Sequence, residues 1–398
     1  MSSTDSGVNL QALEAASLLL GLCSGAGPAA PLLQEVITLL RSGPSERDLE
    51  HAIASIKAIT NFTHRTNIKT VLHNTLDRIL DFSTIRDAVR LGQTSVAFRY
   101  LVRNYIVRRL HSMLKTWVKD PQLLRVIMRD TKAVISGSWV LAFLLGLADD
   151  IRWEVKDIDF YVPWGYACKA LLGHLTNKEG YVVTDKYPTT PVADADGFIP
   201  FNTLSYDFAK RSMRAVYKLH KEVLVGGVIV GVRSIDVIES KSMSNAVEPI
   251  MHFDKTYVMN WIAYDSIVCL YPTLTFDKIG VDQSYRTGHK IEIRKAKYAE
   301  RGFSTVRDTA ELRMACGAAC VSLTRDTHDV GTMVVPLVEG GGSLDEMPQV
   351  RWKLARERIL ACANPRCPRA LMGGFALRSQ VRFSWDDQGQ LQSWISPS

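Results

Sequence analysis

The sequence predicts an α+β protein: a helical N-terminal region, then a small mixed β-sheet with flanking helices. Through about residue 130, apolar residues recur at three- and four-residue spacing, the period of a half-buried helix. From residue 131 the pattern turns to short β-branched runs with period-two alternation, separated by apolar helical stretches. Apolar residues make up 46% of the 398 and charged residues 22%, a composition that folds rather than stays disordered and that suffices for two or three domains. The divisions fall at 1–130 for the helical region, 131–240 for the sheet core and 241–398 for a mixed α/β region.

The N-terminal helices are "LQALEAASLLLGL", "PLLQEVITLLRS", "SERDLEHAIASIKAITNF", "KTVLHNTLDRILDF", "VAFRYLVRNYIVRRLHSMLKTWV" and "PQLLRVIMRD". Clusters of Gly, Pro and Ser at "CSGAGPAAP" and "SGPSERD" separate the first three, and Ser or Asp can cap the helix that follows. The order Pro-Leu, acidic residue, apolar helix and Asp-Leu in "PLLQEVITLLRSGPSERDLEHAIASIKAIT" loosely resembles an F-box, a helical adaptor that would dock a protein partner. Two amphipathic helices packed on a domain explain the same pattern with fewer assumptions. Farther on, Arg99, Arg103, Arg108, Arg109, Lys115 and Lys119 interleave with Tyr100, Tyr105 and Trp117. Such interleaving can bind a nucleic-acid backbone, and a solvated helix face also produces it.

In the core, "KAVISGS" reads as a short strand, "WVLAFLLGLADD" as an apolar helix and "WEVKDIDFYVP" as a strand closed by Pro163. The helix "GYACKALLGHLTNKEG", the strand "YVVTDKY" and a loop from about Pro188 to Pro200 follow. Then "SMRAVYKLHKEVLVGGVIVGVRSIDVIES" reads as two long strands joined near Gly226-Gly227, a hairpin signal. Beyond Ser240, "AVEPIMHF" and "KTYVMNWIAYD" are expected as helices, "SIVCLYP" as a strand, "VEGGGSLDE" as a linker and "QVRWKLARERILACA" as a helix.

A net charge of +7 allows an anionic partner, but it is small for the length and not gathered into one block. No run of 18 apolar residues and no basic start before Ala15–Leu22 point to a membrane or a secretory signal, so an intracellular protein of cytoplasm or nucleus is expected. Seven scattered cysteines suit a reducing compartment. Cys316 and Cys320, then Cys362 and Cys367, do not match a usual zinc spacing, and a Cys pair at i and i+4 on a helix is more often core packing.

Chemistry concentrates in "SGSWVLAFLLGLADDIRWEVKDIDFYVP". On a strand, Asp157 and Asp159 share one face while Ile158, Phe160 and Val162 share the other. Two carboxylates side by side repel unless a cation sits between them, and a hard ion such as magnesium takes oxygen ligands. Gly137 and Ser138 end a strand and open a helix, where backbone amides face an incoming anion. A third acid would complete a two-metal phosphoryl-transfer site. Asp236, between Ile235 and Val237 on a strand, is the best candidate, ahead of Asp207 and of Asp254, which is expected as a helix N-cap. Lys210, Arg211 and Arg214 could meet a triphosphate or lie on a solvated helix face. His252 and Asn260 could touch a base or sugar or be satisfied core residues.

Gly137-Ser138, Asp157-Ile158-Asp159 and Ile235-Asp236-Val237, in that order over residues 131–240, resemble the polymerase-β-like nucleotidyltransferase superfamily. The arrangement is also similar to uncharacterised fungal proteins that set Ser-Gly-Ser and Asp-hydrophobic-Asp behind a helical N-terminus. The eighteen residues between Ser138 and Asp157 exceed the family's usual dozen or so, with "ADDIRWEVK" as the extension. The resemblance implies a small mixed sheet and transfer of a nucleoside monophosphate from an NTP to a hydroxyl acceptor on RNA, protein or a small molecule. It implies Mg2+ or Mn2+ on Asp157 and Asp159, acceptor activation aided by Asp236, and triphosphate on Gly137 and Ser138. The alternative is a catalytically silent binding or adaptor protein on the same fold.

Overall fold

The computed structural model describes residues 76–146, 153–188, 212–282, 289–307, 309–320, 323–338, 349–354, 362, 364–367, 380–385 and 391–396. The F-box-like stretch, Lys210, Arg211, Asp207 and most of the glycine run lie outside them. The chain divides into two compact units, Met1–Ile106 and Val107–Ser398. Among the described residues, no helix is long and apolar enough to cross a membrane.

In the first unit, α1 (Ile85–Gln93) starts at Thr84, whose hydroxyl accepts from the Asp87 N–H. Helix α2 (Val96–Lys115), which spans the division at Ile106, carries the basic-aromatic interleaving as far as Lys115, with Trp117 and Lys119 just beyond it. Tyr105 and Trp117 are buried, and the Tyr105 hydroxyl donates to Asp81 at 2.7 Å. Of the three aromatics only Tyr100 is exposed, so they form no continuous stacking platform. In the second unit, helix α3 (Pro121–Thr131) has Asp120 as N-cap and Pro121 in its first turn, where a missing N–H costs nothing.

The second unit is built on an eight-stranded mixed sheet whose strands lie in the order Met333–Pro336, Ser266–Cys269, Asn260–Ile262, Val134–Ser136, Asp157–Val162, Val228–Ser240, Met213–Val225 and Val182–Pro188. At its centre, β1 (Val134–Ser136) runs antiparallel to β2 (Asp157–Val162), and β2 runs parallel to β5 (Val228–Ser240). Between them in the chain come α4 (Gly137–Leu145), α5 (Tyr166–Asn177), β3 (Val182–Pro188) and β4 (Met213–Val225). Helix α4 is buried on every side, as the unbroken apolar run Trp139 to Leu145 requires, and Gly146 closes it in the left-handed conformation. Helix α5 packs on β2 and β5. Strands β4 and β5 form the expected hairpin. Gly226 and Gly227 have φ of 60° and 82°, the two positive values that a tight turn between twisted strands demands. The structure is thus α+β, with a mixed multi-strand sheet.

Strands from beyond residue 240 extend this sheet. β6 (Asn260–Ile262), β7 (Ser266–Cys269) and β11 (Met333–Pro336) continue it past β1. The helices expected over "AVEPIMHF" and "KTYVMNWIAYD" are instead two 3₁₀ turns, Glu248–His252 and Thr256–Val258, followed by β6. Pro249 offers no amide for an α-helical ladder, and pairing of β6 with β1 and β7 overrides the local periodicity. Asp254 is accordingly no helix cap; its carboxylate pairs with Lys255 and Arg294, each at 3.7 Å.

The remaining elements are α6 (Pro272–Phe276), β8 (Ile279–Val281), α7 (His289–Glu300), β9 (Ser304–Val306), β10 (Thr324–Asp326), β12 (Arg351–Lys353), β13 (Gln380–Trp385) and β14 (Leu391–Ser396). In "QVRWKLARERILACA", Arg351–Lys353 is a strand paired with β10 rather than a helix. Trp352 anchors it, its indole N–H donating to the Tyr271 hydroxyl at 2.6 Å. Cys316 and Cys320 flank a 3₁₀ turn, Gly317–Ala319, and do not sit on a helix. Gly317 has φ of 50° there, a left-handed conformation that continues no helix.

Candidate active site

Pairing across the centre of the sheet puts the predicted acids side by side. Asp159 on β2 lies opposite Ser136 on β1 and opposite Asp236 on β5, and Asp236 lies opposite Lys218 on β4. Directly paired residues share a face, so Ser136, Asp159, Asp236 and Lys218 form one row across four strands. One pleat away on the same face, Asp157, Ser234 and His220 form a second row. The opposite face of β2 and β5 carries Ile158, Phe160, Val162, Ile235 and Val237, all fully buried, and they hold both strands in register.

Gly137 follows Ser136 with φ of 77°, and a Cβ built on it would fall 2.1 Å from Asp159 Oδ2. The glycine therefore makes room for the carboxylate at the amino end of α4. Ser138, the next residue, is buried. Ser136 is fully buried and donates its hydroxyl to the Asn260 carbonyl at 2.5 Å. That bond ties β1 to β6.

The electrostatics follow from this crowding. Burial, then the neighbouring Asp157 and Asp236 carboxylates, push Asp159 well above the usual carboxylate range, against the pull of Lys297 and Lys218. Burial also raises Asp236, opposed by a hydrogen bond and charge from Lys218. The Lys218 ammonium sits 2.9 Å from Asp236 Oδ2 and 3.3 Å from Oδ1. Lys297 on α7, exposed on its helix, is lowered by partial desolvation and by Arg301, while Asp157 and Asp159 pull it back up.

Sequence reasoning missed Lys218 and Lys297. Alternation along β4 places Lys218 on the same face as Val216 and His220, but only the register with β5 identifies Asp236 as its neighbour. Lys297 comes from a helix about sixty residues downstream of Asp236, with no local signal linking it to the acids. Arg214 lies on strand β4, not on a helix face. Its guanidinium stacks over Trp164 at 4.3 Å and lies 3.9 Å from Glu239. Glu239 also accepts from the Gly165 N–H, and its odd offset from Asp236 turns it to the opposite face of β5. Asn260 is fully buried and donates to the Tyr257 carbonyl at 2.6 Å, a structural role. His252 ends a 3₁₀ turn.

The carboxylate oxygens of Asp157, Asp159 and Asp236 are donors of the kind that a hard divalent ion selects, and such an ion would relieve the repulsion felt by Asp159. The three carboxylates share a face without being drawn into one tight knot. Among the described residues, the group of metal-ligating side chains so gathered is a different one, Cys316, Cys320, Cys362 and Cys367. Comparison with protein-family models, curated proteins and solved structures returns no match.

Proposed function

We propose that the acid row is the centre of a metal-dependent nucleotidyltransferase, moving a nucleoside monophosphate from an NTP to a hydroxyl acceptor. The observation that carries this reading is the pairing of Asp159 with Asp236 on parallel strands, with Asp157 one pleat away and the start of α4 beside them. Asp157, Asp159 and Asp236 would hold Mg2+ or Mn2+, which supplies Lewis-acid activation of a phosphoryl oxygen. The amino end of α4 at Gly137 and Ser138, together with Lys297, offers positive potential for the triphosphate. Asp236 would take a proton from an acceptor hydroxyl.

The test is transfer of label from an α-labelled NTP to RNA, protein or a small hydroxyl acceptor with Mg2+ or Mn2+. Asp157→Asn and Asp159→Asn should each abolish it, and transfer unchanged in both would remove the acids from the mechanism.

One observation favours a second reading, a catalytically silent fold that serves as a binding or adaptor surface. The Lys218 ammonium already neutralises Asp236 through both carboxylate oxygens, leaving less charge for a cation. On that reading calorimetry detects neither Mg2+ nor Mn2+ binding, and no labelled product forms with any acceptor.

A further inference from the structure

We propose that Cys316, Cys320, Cys362 and Cys367 are the four thiolate ligands of a structural zinc ion. The four sulfurs all lie within 4.8 Å of one another, and all four residues are buried. Cys316 and Cys362 approach to 3.6 Å, and Cys320 and Cys367 to 3.7 Å. Neither distance is that of a disulfide, whose sulfurs stand about 2.05 Å apart. Both are close to the edge of a tetrahedron with zinc–sulfur bonds of about 2.3 Å, which is about 3.8 Å. Four neutral thiols gathered in a core would bring only weak S–H contacts, whereas four thiolates around a dication satisfy one another's geometry and charge.

The chain around the sulfurs is organised for this role. Each pair is presented by a turn. The Cys320 N–H donates to the Gly317 carbonyl at 3.2 Å, and the Cys367 N–H donates to the Asn364 carbonyl at 3.0 Å. The Thr309 hydroxyl lies 3.8 Å from the Cys362 sulfur. The Asn364 side chain is fully buried and laces the two halves together, donating to the Thr309 carbonyl at 2.8 Å and the Met314 carbonyl at 3.0 Å. Such outer contacts fix the orientation of metal ligands. Forty-one residues separate Cys320 from Cys362, and the nearby strands β10 and β12 are three residues each. A region of such short elements gains from a metal cross-link. Spacings of three and four residues hid the site, because the ligand set becomes visible only when both turns meet.

This inference does not depend on the acid row. Full-length protein purified under reducing conditions from zinc-supplemented cells should contain one zinc per chain by elemental analysis, released as the thiols are titrated with a mercurial. Cobalt(II) exchanged into the same protein should show the intense ligand-field and charge-transfer absorption of tetrahedral four-sulfur coordination. Cys316→Ser and Cys367→Ser should each lower retained zinc at least tenfold, and Cys168→Ser and Cys269→Ser should leave it at one. Because the first two variants could fail to fold, the cobalt spectrum of the unaltered chain decides independently. Unaltered protein with free thiols and no stoichiometric metal, iron in place of zinc, or Cys316–Cys362 and Cys320–Cys367 disulfides in the mass spectrum would each overturn the proposal.

Discussion

Asp159 rests its carboxylate where a side chain of Gly137 would be, with Oδ2 2.1 Å from the position of a Cβ. Gly137→Ala therefore carries two penalties. The left-handed backbone costs about 1–2 kcal/mol for any L-residue with a Cβ, and the carboxylate must swing away. Chemical denaturation should show the first cost. In the Asp159→Ala background the steric part of the loss should vanish while the backbone part stays. Equal losses in both backgrounds would mean that the carboxylate and the glycine do not interact.

The raised Asp159 makes stability depend on pH in a defined direction. Between the unfolded-state value of about 4 and its higher folded value, the folded protein holds a proton that the unfolded chain has released. Stability therefore falls as pH rises through that interval, and Asp236 adds to the fall. Asp159→Asn removes the charge and should be the more stable protein at neutral pH, the gap closing as pH approaches about 4. Denaturant midpoints across the range check this; a gap independent of pH would contradict the burial and repulsion assigned to Asp159.

Lys218 competes with any cation for Asp236. Lys218→Met leaves the buried Asp236 carboxylate without its ammonium partner, costing on the order of 1 kcal/mol because the Lys218 end of the pair is partly exposed. Adding Mn2+ should recover the loss, and calorimetry should record tighter Mn2+ binding than in the unaltered protein. Weaker binding would instead make Lys218 part of what organises the site.

Arg325 is fully buried between the Tyr271 and Trp352 rings, at 4.9 and 5.1 Å from their centres. It grips Asp329 with Nε and Nη2 and donates to the Leu270 and Ala318 carbonyls at 3.0 and 3.1 Å. Arg325→Met removes the buried guanidinium from Asp329 and from the Leu270 and Ala318 carbonyls and should cost about 3 kcal/mol. Arg325→Lys should not restore it, since an ammonium lacks the planar fork that spans these acceptors. Thermal and denaturant unfolding of the two variants measure this.

The strands that carry Asp157, Asp159 and Asp236 were legible because period-two alternation and a Gly-Gly turn are local signals. The row itself was not. Counting back from a two-residue turn, with Leu224 opposite Ile229, would set Tyr217 against Asp236. A bulge between Val223 and Leu224 shifts the register by one and brings Lys218 there instead. Periodicity misled where sheet pairing took over, at Asn260–Ile262 and Arg351–Lys353, because an apolar spacing of three or four also fits short buried strands. The cysteine quartet was hidden for a different reason, since proximity between two turns 41 residues apart is a property of the tertiary fold.

The parallel pairing of β2 with β5 has a consequence for how the protein comes together. A hairpin could join neighbouring antiparallel strands early and locally, but Asp159 meets Asp236 only after α5, β3 and β4 have been threaded through the crossover. The repulsion between Asp159 and Asp236 is thus absent while the first strand is synthesised and arises only when the last central strand docks. A nascent chain that ends before Asp236 holds two of the three acids and lacks the pairing that completes the row.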